Sequence, residues 1–452
     1  MACFIFTADS DKSVVFTYLN PKVFTMTTRF RLLLLLCLCL GASVTSFAGT
    51  IFGDTTRAFA VPTLTSTPKG TVALSWTEKD QNGQIFFYWA ESADRGKTFG
   101  AKKLIFASSG IGNSRLMRPK LLFRPNGTAV AVFALRGEQP AAAAQAKTEE
   151  HNHNEHQGHG APAPKPAASS NRGGGGRPSD LQIVFAQSTD GGNTWTKPAP
   201  VHQDKTPNIV RGFFDATVLA NGEIGVAYLN DIVGQAHQRD LRLVTSTNGV
   251  FGAEKVLDPF VCDCCNISLL VDKAGALHVH YRENQENIRD IARMTSTDNG
   301  LTFGKPAIMS PDNWKVNGCP HSGPTSSTGG GQNLVAWFSG ANDAPGIRVI
   351  DQTTGKRLFV IDEATAKNAY LVPAPASSVL LWEQSQVSET GATSMIAYRN
   401  ILKGQQPTTK MVDGSVSGTN ASGLVSNGKL LVAYEVRNPN NRNSMAVAQL
   451  DL

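Results

Sequence analysis

An all-β chain closed into a ring of four-stranded sheets is what this sequence predicts, on three observations. A short polar phrase ending in an aromatic residue returns four times. A strand-turn-strand unit returns seven times. The seven units start roughly 45 to 58 residues apart once one insertion is set aside. Four-stranded propeller blades need about that length, so the repeat count favours seven blades.

The phrase is Ser92-Ala-Asp94-Arg-Gly96-Lys-Thr98-Phe99, then Ser188-Thr-Asp190-Gly-Gly192-Asn-Thr194-Trp195, Ser246-Thr-Asn248-Gly249-Val-Phe251 and Ser296-Thr-Asp298-Asn-Gly300-Leu-Thr302-Phe303. Each copy follows a run such as Ile183-Val-Phe-Ala-Gln187, whose alternation suits a half-buried strand. The phrase therefore predicts a hairpin turn. Asp or Asn starts the reversal by bonding the backbone, Gly supplies a positive φ, and the aromatic ring packs into the sheet. The third copy is degraded, lacking both the acid and the Thr.

The longer unit is seen in Pro62-Thr-Leu to Trp76, Pro119-Lys-Leu-Leu-Phe to Phe133 and Asp215-Ala-Thr-Val-Leu to Tyr228, with similar units beginning near Cys265, Pro324, Tyr370 and Ala421. The last copy runs out at Leu452 without an outer strand. Residues 50–59 are placed to supply it, closing the ring and leaving few open edges.

These residues match the Asp box, S-x-D-x-G-x-T-W/F, and the chain resembles the sialidase-like (BNR-repeat) β-propellers. The resemblance implies six blades where the repeat count gives seven. With Cys-Asp-Cys-Cys at 262–265 and Cys319-Pro-His-Ser-Gly-Pro324, the chain also resembles a bacterial subgroup of these propellers.

A propeller is one cooperative ring, so residues 49–452 are expected to form a single domain. Residues 1–48 read as an extension and a secretory signal. Arg29 and Arg31 precede the apolar run from Leu32 to Leu40, and Ser46-Phe47-Ala48 offers a cleavage site, with Met26 as the expected start. The run is too short for a stable membrane span, and a lipid anchor through Cys37 or Cys39 lacks the small residues that normally precede one. A periplasmic or secreted chain is expected. The net charge of +6 is spread along 452 residues with no basic block, which argues against nucleic acid. No Gly-rich phosphate loop is present, so no nucleotide cofactor is expected.

Export changes the meaning of the cysteines. Cys262, Cys264, Cys265 and Cys319 remain after signal removal. Cys262-Asp-Cys264-Cys265 stands just before the first strand of the fourth unit, and Cys319-Pro-His321 just before that of the fifth. Equivalent positions in neighbouring blades lie side by side around the axis, so four sulfurs and the His321 imidazole are expected to converge near the mouth of the pore. Two structural disulfides are one reading of an even cysteine count in an exported chain. Adjacent Cys264 and Cys265 can be bridged only through a strained ring, which suits a labile or redox pair. Closely spaced thiolates with an imidazole also suit copper or zinc.

A second feature points to metal. Residues 137–180 form an insertion rich in Ala, Pro, Ser and Gly that carries His151, His153, His156 and His159. Such a composition builds no core and predicts a surface loop, either a polar linker or an auxiliary metal collector. A metal ion or a periplasmic metal-handling protein is then the expected partner.

The enzymatic alternative is an exo-α-sialidase or related glycoside hydrolase acting on a sialoglycan. The resemblance implies three arginines gripping a carboxylate, a tyrosine nucleophile activated by a glutamate, and an aspartic acid. The family's first arginine sits in a Phe/Tyr-Arg-Ile-Pro motif, and here the matching stretch is Phe59-Ala60-Val61-Pro62. Arg118, Arg211, Arg282 and Arg399 remain as carboxylate ligands, Glu283 and Glu383 as acids, Tyr281 and Tyr398 as phenols, and Asp54 as general acid. His278 and His280 share one strand face and are either packing residues or further ligands. A noncatalytic propeller binding glycan or protein is the third reading. The residues favour a metal-binding propeller without glycosidase activity.

Overall fold

The computed structural model describes residues 50–137, 180–235, 237–388 and 391–452. Residues 1–49, with the expected secretory signal, and the insertion apart from its end residues, with the four histidines, lie outside the described residues. Seven antiparallel sheets follow one another along the chain, six of four strands and the third of five because the short strand Val250–Phe251 is added to its four. Their inner strands are Ala58–Ser66, Lys120–Phe123, Arg211–Val218, Ser268–Val271, Thr325–Gly329, Ala366–Pro373 and Gly418–Ser426. Each falls on one of the seven units seen in the sequence. The count of six implied by the resemblance is therefore corrected to seven. Among the described residues the only helical element is a 3-10 turn at Arg115–Met117, and no helix is long and apolar enough to cross a membrane.

The ring closes as the missing outer strand predicted. Thr50–Phe52 pairs antiparallel with Ser444–Asp451, placing Ile51 opposite Ala446. Chain start and chain end thus share the seventh blade, and its outer edge is covered.

Apolar side chains from facing blades form seven separate clusters, one per seam. Trp89, Phe87 and Ile105 of blade 1 meet Phe133 and Leu121 of blade 2, for example. Six seams hold ten to seventeen buried apolar residues. The seam between blades 4 and 5 holds five, Ile291, Met309, Val335, Trp337 and Ile350, so polar contacts have more to do there. Arg348, fully buried, bonds Asp312 at 2.7 Å, and Trp337 donates its indole N–H to the same carboxylate at 2.7 Å.

The Asp boxes occupy the turn between third and outer strands of blades 1, 2 and 4. In the first, Ser92 Oγ accepts the Gly96 N–H at 2.7 Å, and Asp94 accepts the Thr98 N–H at 2.8 Å and its hydroxyl at 2.6 Å. Gly192, at φ +78°, presses its Cα face against Trp89 of the preceding blade, where a Cβ would come within 2.5 Å of the ring. The box thus turns the chain and seats it on its neighbour. The degraded third copy still turns, pairing Ser246 with Phe251. Glu223, from a different turn, supplies the missing carboxylate: it accepts the N–H groups of Asn248 and Gly249 at 3.1 and 3.2 Å, bonds the Ser246 hydroxyl at 2.5 Å, and pairs with Arg124.

Candidate metal centre

Two connections bring the cysteines together. The Cys262-to-Cys265 stretch links the outer strand Lys255–Val261 of blade 3 to the inner strand of blade 4, and the Cys319-to-Pro324 stretch leads into the inner strand of blade 5. Their meeting is fixed by hydrogen bonds on both sides. Asn266, next to Cys265, accepts the Gly323 N–H at 2.9 Å and donates to the Pro324 carbonyl at 3.2 Å. A Cβ on Gly323 would fall 1.8 Å from the Asn266 carbonyl oxygen, so only glycine permits the approach. Arg282, 2 % exposed, donates to the Ser322 carbonyl at 2.9 and 2.7 Å and to that of Phe338 at 2.8 Å. Arg115 donates to the His321 carbonyl at 3.0 Å. His321 itself has φ +48°, an uncommon backbone state for a residue with a side chain.

The three sulfurs of the first stretch are buried and mutually close. Cys262 Sγ lies 3.8 Å from Cys264 Sγ and 3.5 Å from Cys265 Sγ, and all four cysteines carry free thiols. Cys264 belongs to a second group as well, its sulfur within 4.8 Å of the Cys319 sulfur and a ring nitrogen of His321. Burial falls outward, from Cys264 to half-buried His321 and exposed Cys319. For ~2.3 Å metal–sulfur bonds, ligand sulfurs on a tetrahedral ion stand about 3.8 Å apart, which the buried trio matches.

Electrostatics favours a thiolate here. Hydrogen bonds from Cys264 and Cys265, with Arg282 nearby, push the Cys262 thiol well down. Cys264 is pushed up because it donates to Cys262, and Cys265 is pushed up by burial. The three thiols therefore lose their first proton as one hydrogen-bonded cluster. Burial pushes the Cys319 thiol up, opposed by the charge of Arg289, a residue 6 % exposed whose Nε and Nη1 atoms have no hydrogen-bond partner.

Beside the cluster a cavity of about 270 Å³ sits where inner strands converge, lined by Arg115, Arg118, Lys120, Asn266, Ser322 and Tyr370 among others. Asn266 and Ser322, the residues next to Cys265 and His321, thus form part of its wall.

The residues considered for sugar chemistry do not gather there. Arg118 borders the cavity, but its guanidinium donates to the Pro62 and Asn420 carbonyls at 2.8 Å each. Arg211 pairs with Asp204 at 3.1 Å. Tyr398 lies in the apolar seam between blades 6 and 7, and Arg399, on the same third strand, stacks over Phe359 and Trp382. Glu383 accepts the Asn420 N–H at 2.7 Å. Glu283 is pushed up to about 7 by burial and the charge of Asp258, while Tyr281 donates to Asp258 at 2.7 Å. Asp54 is lowered by the Thr56 hydroxyl, the wrong direction for a general acid at neutral pH. His278 bonds Asp272 and Thr295, and His280 bonds Gln352 and the Ser268 carbonyl, so both are packing residues. Arg282, Arg289, Asn266 and Gly323 complete the cysteine site. Only the position of Asn266 and Gly323 within the two motifs hinted at them.

A BNR repeat-like domain model matches residues 169–326, about a third of the chain. No curated protein matches the sequence. Among solved structures, a protein of unknown function from Dyadobacter fermentans superposes with a TM-score of 0.50 at 14% identity, covering 89% of this chain and 97% of that one. The NanB sialidase of Streptococcus pneumoniae gives a TM-score of 0.47 at 12% identity, over 89% of this chain and 70% of the other. The intramolecular trans-sialidase of Ruminococcus gnavus gives 0.46 at 12%, over 91% and 99%. The chain is thus a seven-bladed β-propeller that matches the BNR repeat-like domain over residues 169–326, with its Asp boxes seated at the blade turns.

Proposed function

We propose that the protein is an exported propeller that binds Cu(I) through Cys262, Cys264, Cys265, Cys319 and His321, and that it does not hydrolyse glycosides. The observation that carries this reading is the buried trio of thiols at metal-ligand spacing, joined through Cys264 to a second thiol and an imidazole. Thiolate softness selects Cu(I), or Zn(II) with less preference, over harder ions. The positive field of Arg282 and Arg289 supports ligands that must lose protons to bind. The histidines at 151, 153, 156 and 159 act as an outer collector for the same ion or for exchange with a metal-carrying partner. Ala60 and the carbonyl-bound Arg118 support the absence of sialidase turnover, since neither offers a bidentate grip on a carboxylate.

Protein purified without air from copper-supplemented cells is expected to carry tightly held copper that is lost in Cys264→Ser. Fluorogenic sialosides are expected to be turned over no faster than background. Two closed disulfides in unreduced protein regardless of copper supply would overturn the metal reading, and turnover abolished by Glu283→Gln would overturn the second part.

A further inference from the structure

The five ligand atoms form two overlapping groups rather than one. Cys262, Cys264 and Cys265 are mutually within 4.8 Å, and so are Cys264, Cys319 and His321, with Cys264 alone common to both. Building on the copper reading above, we propose that the site holds two Cu(I) ions bridged by the Cys264 thiolate: an inner ion on the three buried sulfurs and a rim ion on Cys264, Cys319 and His321.

Three observations carry this inference. Each group offers three soft or borderline donors, which saturates a low-coordinate monovalent ion, and thiolate sulfur has the lone pairs to bridge. The two groups also differ in exposure. The inner sulfurs are buried, whereas His321 is half-buried and Cys319 exposed, giving the outer ion a path to solvent that the inner one lacks. The Asp263 carboxylate, 3.9 Å from the Cys319 sulfur, stands at that opening. Charge agrees as well. Two monovalent ions on four thiolates and a neutral imidazole carry a net charge of about −2. The surroundings provide matching cations in Arg282 and Arg289, two of whose buried guanidinium nitrogens have no hydrogen-bond partner. Binding exchanges thiol protons for metal–sulfur bonds without any change of oxidation state, so Cu(I) must arrive already reduced.

The test is an anaerobic titration of the full reduced chain with Cu(I) against a chromogenic Cu(I) chelator, with X-ray absorption of the loaded protein. Wild type is expected to take two equivalents, and the absorption spectrum is expected to show a Cu–Cu vector. Cys319→Ser and His321→Ala should each retain one tightly held equivalent and lose both the second and the vector. Their cooperative unfolding transitions, compared with wild type, report whether the fold survives. A single equivalent in wild type that disappears in Cys319→Ser would overturn the two-ion site while leaving copper binding intact. No copper uptake at all would overturn both. Two equivalents without a Cu–Cu vector would overturn the bridge.

Discussion

Blades 1 to 4 and blades 5 to 7 solve the same packing problem differently. In the first arc every blade carries an Asp box or its repaired form, and each box glycine rests on the blade before it: Gly96 against Leu431, Gly192 against Trp89, Gly249 against Arg124 and Gln187, Gly300 against Leu243 and Thr245. Four seams are thereby locked by a local turn. In the second arc no box exists, and the first seam without one, between blades 4 and 5, also has the smallest apolar cluster. Polar braces concentrate at that boundary and Cys319 leads across it into blade 5, while Cys262, Cys264 and Cys265 pack in the seam between blades 3 and 4. A propeller built from one repeat becomes specialised where the repeat lapses.

The largest expected effect comes from breaking the boundary seam. Asp312 is 3 % exposed at its side chain and Arg348 fully buried, so Asp312→Ala takes away the carboxylate that the guanidinium meets at 2.7 Å and leaves it only Asp343 at 3.6 Å and backbone carbonyls. Removing one partner of such a pair costs about 3 to 5 kcal/mol. Urea unfolding should show that loss, comparable to or larger than the roughly 2 to 5 kcal/mol expected when the fully buried Leu241 of the neighbouring seam is cut to alanine. A cost for Asp312→Ala of well under 1 kcal/mol would mean that the braces do not hold the seam.

Metal should sharpen the same contrast. The ligands come from both sides of blade 4, so a bound ion ties the blade 5 connection to the stretch between blades 3 and 4. At a free concentration 100 times its dissociation constant, Cu(I) binding only the folded state stabilises it by about 2.7 kcal/mol. Hydrogen exchange should slow in residues 309–324 and 262–266 of wild type and remain unchanged in Cys264→Ser. Equal protection in both proteins would show that the cysteines are not the ligands.

The third box offers a smaller effect. Glu223 serves three groups of that turn, so Glu223→Ala leaves partly buried N–H and hydroxyl donors unsatisfied, at a cost of about 1 to 3 kcal/mol. Exchange should quicken at Asn248 and Gly249 while the intact turn at Asp190 is unaffected. Uniform loosening of both turns would argue against a local repair.

These cases mark what sequence can convey. Inner strands were legible because strand periodicity and turn glycine recur, and the meeting of Cys264 with His321 was legible because both precede an inner strand in adjacent blades. The repair by Glu223 was not, since it reaches the turn through space from another hairpin. Arg118 and Arg282 looked like carboxylate ligands because an arginine before or after a strand is ambiguous. Their partners are backbone carbonyls, which leave no trace in composition. Blade number was decided by counting units rather than by kinship, and Thr50–Phe52 completed the last blade as its missing strand required.

Acid should produce the mildest and most local difference between the arcs. The Thr98 hydroxyl and N–H push Asp94 down to about 2, and Asp190 and Asp298 are lowered in the same way, chiefly by the N–H of Thr194 and the hydroxyl of Thr302. A carboxylate held below its unfolded value stabilises the fold at all pH values above the unfolded pKa, and that contribution fades as pH falls through the folded one. Between pH 4 and pH 2 the box turns of blades 1, 2 and 4 should therefore loosen in step. The turn of blade 6 at residues 403–409 contains no acid and should not follow. Asp94 and Asp190 are exposed and Asp298 half-buried at the surface of its turn, so the response is expected as faster exchange at Thr98, Thr194 and Thr302 rather than as global unfolding. Simultaneous loosening of the blade 6 turn would mean that acid acts on the whole ring and that the boxes are not separate local locks.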